Sequence, residues 1–227
     1  MLIQKYNYKT ISRDTIEGKR HYCLPDGSKV PSVTTILDRT KPQADKDALD
    51  NWRKAVGDAK ATAIVTEAAN RGTRMHKWLE DYVRNNRVLG TPGSNPFSKQ
   101  SHKMAQEIID KGLVNVQEMW GIEVPLYFSG LYAGTTDACG IYSNAESIID
   151  YKQTNKPKTD ERVRDYFIQL CAYGLAHNET HGTNIKQGVI LMCSAEYQFQ
   201  TWTVSGKDWD YWTDEWLKRV ELYYLMS

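Results

Sequence analysis

From residue 116 the chain changes its rhythm. "VQEMWGIEVPLYF", "LYAGTTDACGIYS" and "AESIIDYKQT" follow one another with only short turns between them. Each reads as a strand, rich in β-branched and aromatic residues. Strands joined this tightly lie side by side and antiparallel, because a parallel neighbour needs a crossover of a dozen residues or more. A helical stretch follows, "DERVRDYFIQLCAYGLAHN", and then two further strands, "KQGVILMCS" and "YQFQTWTV". The last helix starts after Ser205 and carries Trp209, Trp212, Trp216 and Val220 as one stripe, read as a core seam. This order predicts an α/β sandwich around a small central sheet.

The first half of the chain reads differently. "KRHYCLPDGSKVPSV" is a hairpin with Pro25-Asp26-Gly27 at its turn. In "SVTTILDRT", Ser32 is placed to cap a short helix. Residues 44 to 89 are helical in pattern, with a break expected near Gly72. Leu49, Trp52 and Val56 share one face of the first part; Met75, Leu79, Tyr82 and Val83 share one face of the second. "GTPGSNPFS" (90–98) is a loop, read as a connector, and a helix is expected from about 99 to 112. The length suits one sizeable core. The expectation is one domain over 1–227, with the hairpin and helical region about 1–112 and the sheet with its helices about 113–227.

Charge and cysteines narrow the class. The formal net charge is +1, which argues against a polycationic nucleic-acid coat but not against an enzyme with a local basic surface. Cys23, Cys139, Cys171 and Cys193 form no CxxC pair, which points away from a zinc ribbon or an iron–sulfur cluster and towards free thiols in a reducing compartment. No apolar run is long enough to span a bilayer. "MLIQKYNYKTISRDTIEGK" lacks a signal-peptide apolar region and carries acidic residues, so a cytoplasmic protein with no membrane partner is expected.

"SIIDYKQTNKPK" places charge directly after an apolar run. Residues two apart on a strand share a face, so Asp150 and Lys152 point one way and Ile149 and Tyr151 the other. One strand earlier, "AGTTDACG" sets Asp137 among small residues. If the two strands pair as a hairpin, the two carboxylates come close, which raises a pKa or requires a cation such as Mg²⁺. His76 and Glu80 are four apart on a helix face, as are Gln169 and Tyr173. Each feature alone has an ordinary structural reading: a solvated strand end, a satisfied histidine, a common helix pair. What carries information is the ordered set: His on an early helix, Asp on one strand, Asp-x-Lys on the next, then Gln and Tyr on the following helix.

In that order the chain resembles the PD-(D/E)XK nuclease superfamily in its RecB-like exonuclease branch, and within it the mitochondrial genome maintenance exonucleases and related phage exonucleases. "RGTRMHKWLE" is similar to the branch's GTxxHxxxE helix, "GTTD" to its G-x-x-D strand, "IIDYKQT" to its D-x-K strand and "QLCAYG" to its QxxxY helix. "PSVTTIL" is similar to a segment these proteins carry before the helical region. The resemblance runs from about residue 30 to residue 176. It implies a restriction-endonuclease-like core, a central mixed β-sheet flanked by helices, with the N-terminal helical region forming one side of the cleft. It implies His76, Asp137, Asp150 and the main-chain carbonyl of Tyr151 as ligands to one or two Mg²⁺ or Mn²⁺ ions. Lys152 would be the catalytic lysine, acting with Asp150. Gln169 and Tyr173 would position the lysine, the water or the substrate, and Glu80 would support the site from behind. The iron–sulfur relatives carry clustered cysteines near the C-terminus; only Cys193 lies there, so no cluster is expected.

The activity so implied is a metal-dependent DNA exonuclease acting on single strands or free ends, in phage or bacterial replication, recombination or repair. A structure-specific endonuclease on the same core and a DNA-binding module with a decayed site are the alternatives. Protein partners are not indicated. Basic residues flank the motifs: Arg71, Arg74 and Lys77 around the histidine, and Lys156, Lys158, Arg162 and Arg164 after the D-x-K. They form either a solvated surface or a phosphate-tracking groove. Trp78 and Tyr132 are read as scaffold residues before stacking ones.

Overall fold

The computed structural model describes residues 2–16 and 18–226. The three tightly joined strands are β4 (Val116–Phe128), β5 (Tyr132–Tyr142) and β6 (Ala145–Thr154), paired antiparallel as their short turns require. The helix that follows, α5 (Arg164–His181), is long enough to cross over, and β7 (Gln187–Ser194) returns parallel to β6. β8 (Phe199–Ser205) pairs antiparallel with β7 and closes a five-stranded mixed sheet, in the order β4-β5-β6-β7-β8.

Both faces of this sheet are covered, and strand alternation assigns the residues. Ile148 and Ile190 join a core shared with α5, the last helix α6 (Gly206–Leu225) and the short α1 (Val33–Arg39). Ile149, Tyr151, Val189 and Leu191 join the opposite core, against α3 (Asp58–Arg84) and α4 (Pro96–Lys111). Trp209, Trp216 and Val220 are buried as a core seam, while Trp212 is half-buried beside Phe167, ring centroids 5.5 Å apart. No helix among the described residues is long and apolar enough to cross a membrane.

A second, three-stranded antiparallel sheet comes from β1 (Ser12–Ile16), β2 (Lys19–Cys23) and β3 (Lys29–Pro31). The expected hairpin is β2–β3; Asp26 tightens its turn by accepting from the Ser28 amide at 2.9 Å. β1 adds a strand that the hairpin reading did not include. Ile11, Tyr22, Leu24 and Val30 of this sheet region pack with Ala133 of β5. Ser32 caps α1 as expected, its hydroxyl accepting from the Thr35 amide at 3.0 Å.

The helical break lies elsewhere than the sequence pattern suggests. Helix α2 (Gln43–Val56) stops at Gly57, whose φ of 88° and ψ of 136° are open to glycine, and α3 starts directly after it. Gly72 stays inside α3, where it lets the helix approach β6: an added Cβ would lie 3.2 Å from Cγ of Gln153. Met75, Leu79 and Val83 are buried as expected, with Tyr82 partly so. The apolar face of α2 is not buried; Leu49 is 50% exposed. Helix α4 starts at Pro96, earlier than expected, because Asn95 caps it by accepting from the Phe97 amide at 2.9 Å.

Candidate active site

The site forms where two paired strands part. β5 and β6 keep register as far as Ala138 and Ile149, and there the ladder ends. The next amide on that side, Tyr151 N–H, is given instead to Oδ2 of Asp137 at 2.7 Å. A strand residue presents its N–H and C=O to the same side, so the Tyr151 carbonyl also faces the fork. Helix α3 packs across this point and sets His76 Nδ1 3.3 Å from Oδ1 of Asp137. The His76 ring meets the buried Tyr151 ring edge-on, centroids 6.0 Å apart.

The other face of β6 carries Asp150 and Lys152. Asp150 is 3% exposed, and its Oδ2 is in ion-pair contact with the Lys152 ammonium. The Lys152 ammonium donates to Oε1 of Gln169 at 3.2 Å, and Nε2 of Gln169 donates to the Tyr173 hydroxyl at 3.1 Å. Tyr166 places its ring 4.9 Å from the same ammonium. Tyr173 lies over Gly134, where a Cβ would come 2.6 Å from its ring. His76, Asp137, Asp150, Lys152, Gln169 and Tyr173, picked out from four separate elements, are therefore neighbours.

Glu123 is the residue the sequence reading missed. The β4–β5 register pairs Ile122 with Ala138 and Val124 with Thr136, which sets Glu123 opposite Asp137. Its φ of 51° marks a local distortion of β4. His76, Glu123 and Asp137 each offer a ligand atom within 4.8 Å of the others. The one trace in the sequence is a lone acid in the apolar run "WGIEVP". Two bulges upstream in β4 make its facing impossible to count from the sequence alone.

Glu80 sits apart from this cluster. Its carboxylate accepts from Arg84 at 2.8 Å and pairs with Lys77 at 3.6 Å on its own helix, so it reaches Glu123 through charge rather than contact. Among the expected nucleic-acid contacts, Arg71 is engaged within the fold. It is 5% exposed, and its guanidinium is used on Gln153 and Asn155 at the end of β6. Arg74 is tied to Glu67 at 2.8 Å and to Ser101 at 3.2 Å. Lys158 donates to the Tyr166 hydroxyl at 3.1 Å. Lys156 and Arg162 are exposed, with no acidic partner among the described residues. Trp78 packs edge-on against His102, and Tyr132 is buried with its hydroxyl on the Ala172 carbonyl, so both serve the scaffold.

The electrostatics follow from burial and crowding. Burial pushes the Asp150 carboxyl up to about 6, Asp137 adds to the rise, and Lys152 only partly offsets it. Asp137 is buried too, but His76 and Lys152 outweigh burial and hold it below the usual carboxylate range. Burial opposes charge on His76, and Asp137 reverses this, leaving the imidazole above its ordinary value. Lys152 is raised in the same way, burial being overcome by Asp150 and Asp137. Glu123 is raised by lost solvation and then by Asp137. An imidazole and two carboxylates whose ligand atoms lie within 4.8 Å of one another, with the Asp150 carboxylate nearby, are a donor set suited to a hard divalent cation such as Mg²⁺ or Mn²⁺. A cleft of about 230 Å³ opens onto them, with His76, Glu123, Asp137, Gly134 and Tyr173 in its wall.

No family model matches the chain. It is 25% identical over 211 residues to mitochondrial genome maintenance exonuclease 1 of Mus musculus, covering 86% of this chain and 59% of the relative. The Xenopus tropicalis protein of the same name is 24% identical over 236 residues, covering 97% and 64%. The chain thus spans about three fifths of the length of the curated relatives it matches. Among solved structures it is similar to a candidate exonuclease from Eubacterium rectale, with a TM-score of 0.51 and 16% identity over 69% of this chain and 64% of that one. That likeness shows a shared fold.

Proposed function

We propose that this chain, a PD-(D/E)XK-like protein with exonuclease relatives, is a divalent-metal-dependent deoxyribonuclease that removes nucleotides from strand ends. The observation that carries this reading is the fork beyond Ala138 and Ile149, which gathers His76, Glu123, Asp137 and Asp150 beside Lys152. His76, Glu123, Asp137, Asp150 and the Tyr151 carbonyl would hold the cation. When bound, it supplies a polarised phosphate oxygen and a more acidic water.

The chain's own residues do the rest. Lys152, held between Asp150 and Gln169, offers its positive charge to the oxygens of the in-line transition state. Gln169 fixes that ammonium with one end and the Tyr173 hydroxyl with the other. Burial keeps Tyr173 protonated, so its O–H is available to a substrate oxygen in the cleft it lines. Gln169 and Tyr173 thereby orient the lysine and the strand together, which lowers the entropic part of the barrier.

The test compares linear single-stranded DNA, linear duplex and covalently closed circles in MnCl₂. Loss of the linear forms with circles left intact is the expected result. Cutting of closed circles would turn the reading to an endonuclease on the same core, and no cleavage of any form would leave a DNA-binding module.

A further inference from the structure

We infer that the cleft-facing side of the N-terminal sheet is a phosphate subsite, in which Arg13 and Arg20 hold the backbone phosphate next to the one being cut. The inference rests on the nuclease reading and adds to it the grip on the substrate strand. Residues opposite each other in an antiparallel ladder share a face. Arg13 pairs with Tyr22, and Arg20 stands two residues from Tyr22, so these three side chains point the same way. Tyr22 fixes which way that is: it is 3% exposed and its hydroxyl lies 3.3 Å from Oγ1 of Thr135 on β5. Arg13, Arg20 and Tyr22 accordingly line the same cleft as His76, Glu123 and Asp137.

The opposite face of β1 has ordinary surface chemistry: Asp14 is paired with Lys29 at 3.0 Å. Neither cleft arginine has an acidic partner among the described residues. Arg20 is nevertheless held in place, its carbonyl accepting from the Ser32 amide at 3.1 Å and the Thr35 hydroxyl at 3.0 Å. "PSVTTIL" thus acquires a role, anchoring the strand that presents Arg20 and adding Ser32 and Thr34 to the cleft wall. Two exposed guanidiniums without acidic partners on the wall of the cleft offer an anion a place between them, and guanidinium matches phosphate geometrically.

The space limits what that anion belongs to. A cleft of about 230 Å³ is smaller than a typical small-molecule pocket, roughly 300 Å³ and up, and admits one phosphate–sugar unit of a single strand. A wider groove of about 750 Å³ shares Arg20 and Thr34 with it and runs on past Lys41 and Lys46. The strand therefore has a path out of the cleft, with Arg39, Lys41 and Lys46 outnumbering Asp38 and Asp50 along its wall.

The experiment measures fluorescence anisotropy of a labelled oligothymidylate in MnCl₂ at several salt concentrations, in a Lys152→Ala background that does not consume the probe. Adding Arg13→Ala and Arg20→Ala is expected to weaken binding about tenfold or more. The slope of log K against log salt should fall by about 0.7, one single-strand phosphate. The Arg13→Lys, Arg20→Lys pair should keep the slope but bind several-fold more weakly, because charge survives and the forked geometry does not. Unchanged affinity and slope in the alanine pair overturn the subsite. If that pair does not fold, the lysine pair decides, and full affinity there overturns it. The nuclease reading is judged separately, by whether the protein with native Lys152 cuts the same probe.

Discussion

Asp150 is nearly inaccessible, and its Oδ2 has the Lys152 ammonium as ion partner. Its ionised form is still disfavoured, because Lys152 offsets only part of the lost solvation and Asp137 adds to it. Its folded pKa, raised to about 6, makes the consequence explicit. The contribution of Asp150 to stability is present below the ordinary carboxylate value and is lost as pH rises through about 6 in the metal-free protein. His76 acts with the same sign, since its raised pKa means its ion pair with Asp137 is lost as pH rises past that value. A divalent cation displaces protons from both groups, so its binding strengthens with pH. The rise in melting temperature on adding MnCl₂ should therefore be larger at pH 8 than at pH 5.5, read by differential scanning fluorimetry. Equal shifts at both pH values would remove Asp150 and His76 from the ligand set. His76→Ala and Glu123→Gln should each weaken Mn²⁺ binding in calorimetric titration by tenfold or more, about 1.4 kcal/mol. His76 and Asp150 were legible in the sequence because their motifs have fixed local spacing. Glu123 was not, because its place depends on the register of a bulged strand against its neighbour.

At the scale of elements, the active geometry depends on how closely β5 and α5 approach. Gly134 makes that possible: a Cβ there would sit 2.6 Å from the Tyr173 ring. Gly134→Ala should displace Tyr173 and, through it, Gln169 and Lys152. A fall in kcat of about tenfold or more, with a stability loss of about 1–3 kcal/mol, is expected from overpacking. Unchanged kcat would mean that Tyr173 does not position the lysine. Strands β4 to β8 were readable because each alternates or runs apolar over many residues and is bounded by turns. β1 was not: "SRDTI" is short and carries no buried residue, so nothing in its pattern marks it as a strand. The sequence pattern suggests a helical break near Gly72 and the break occurs at Gly57, since two glycines in helical surroundings look alike until backbone angles distinguish them. Likewise, the basic residues flanking the motifs gave no sign that Arg71 is bound inward by Gln153 and Asn155.

Across the whole molecule, the N-terminal segment ties distant parts of the fold together. Ile3 donates its amide to the Met119 carbonyl at 2.7 Å, and the Tyr8 hydroxyl lies 3.0 Å from Nε2 of the fully buried His177 on α5. Burial, and then the neighbouring His181, hold His177 down to about 3. The unfolded chain binds a proton at this residue below about 6.5 that the folded chain does not. Stability is therefore expected to be lost as pH falls from about 6.5 towards 3, by up to about 1.4 kcal/mol per pH unit from this one site. Chemical denaturation of wild type and His177→Gln across that range checks it, the variant losing one proton's worth of slope; parallel curves would contradict it. A central sheet sandwiched by helices was accessible from the order of elements, whereas this strap was not, because nothing local to "QKYNYK" points to a histidine 169 residues from Tyr8. The charge cluster at the strand fork is expected to perform metal-dependent phosphodiester hydrolysis. The direct measurement is nucleotide release from an end-labelled single-stranded oligonucleotide by the wild-type protein and by Lys152→Ala, each in MnCl₂ and in EDTA. Release by wild type in MnCl₂ alone, with Lys152→Ala slower by at least about 10²-fold while melting as a folded protein, is the result expected. Release that survives EDTA, or a Lys152→Ala variant as fast as wild type, would contradict it.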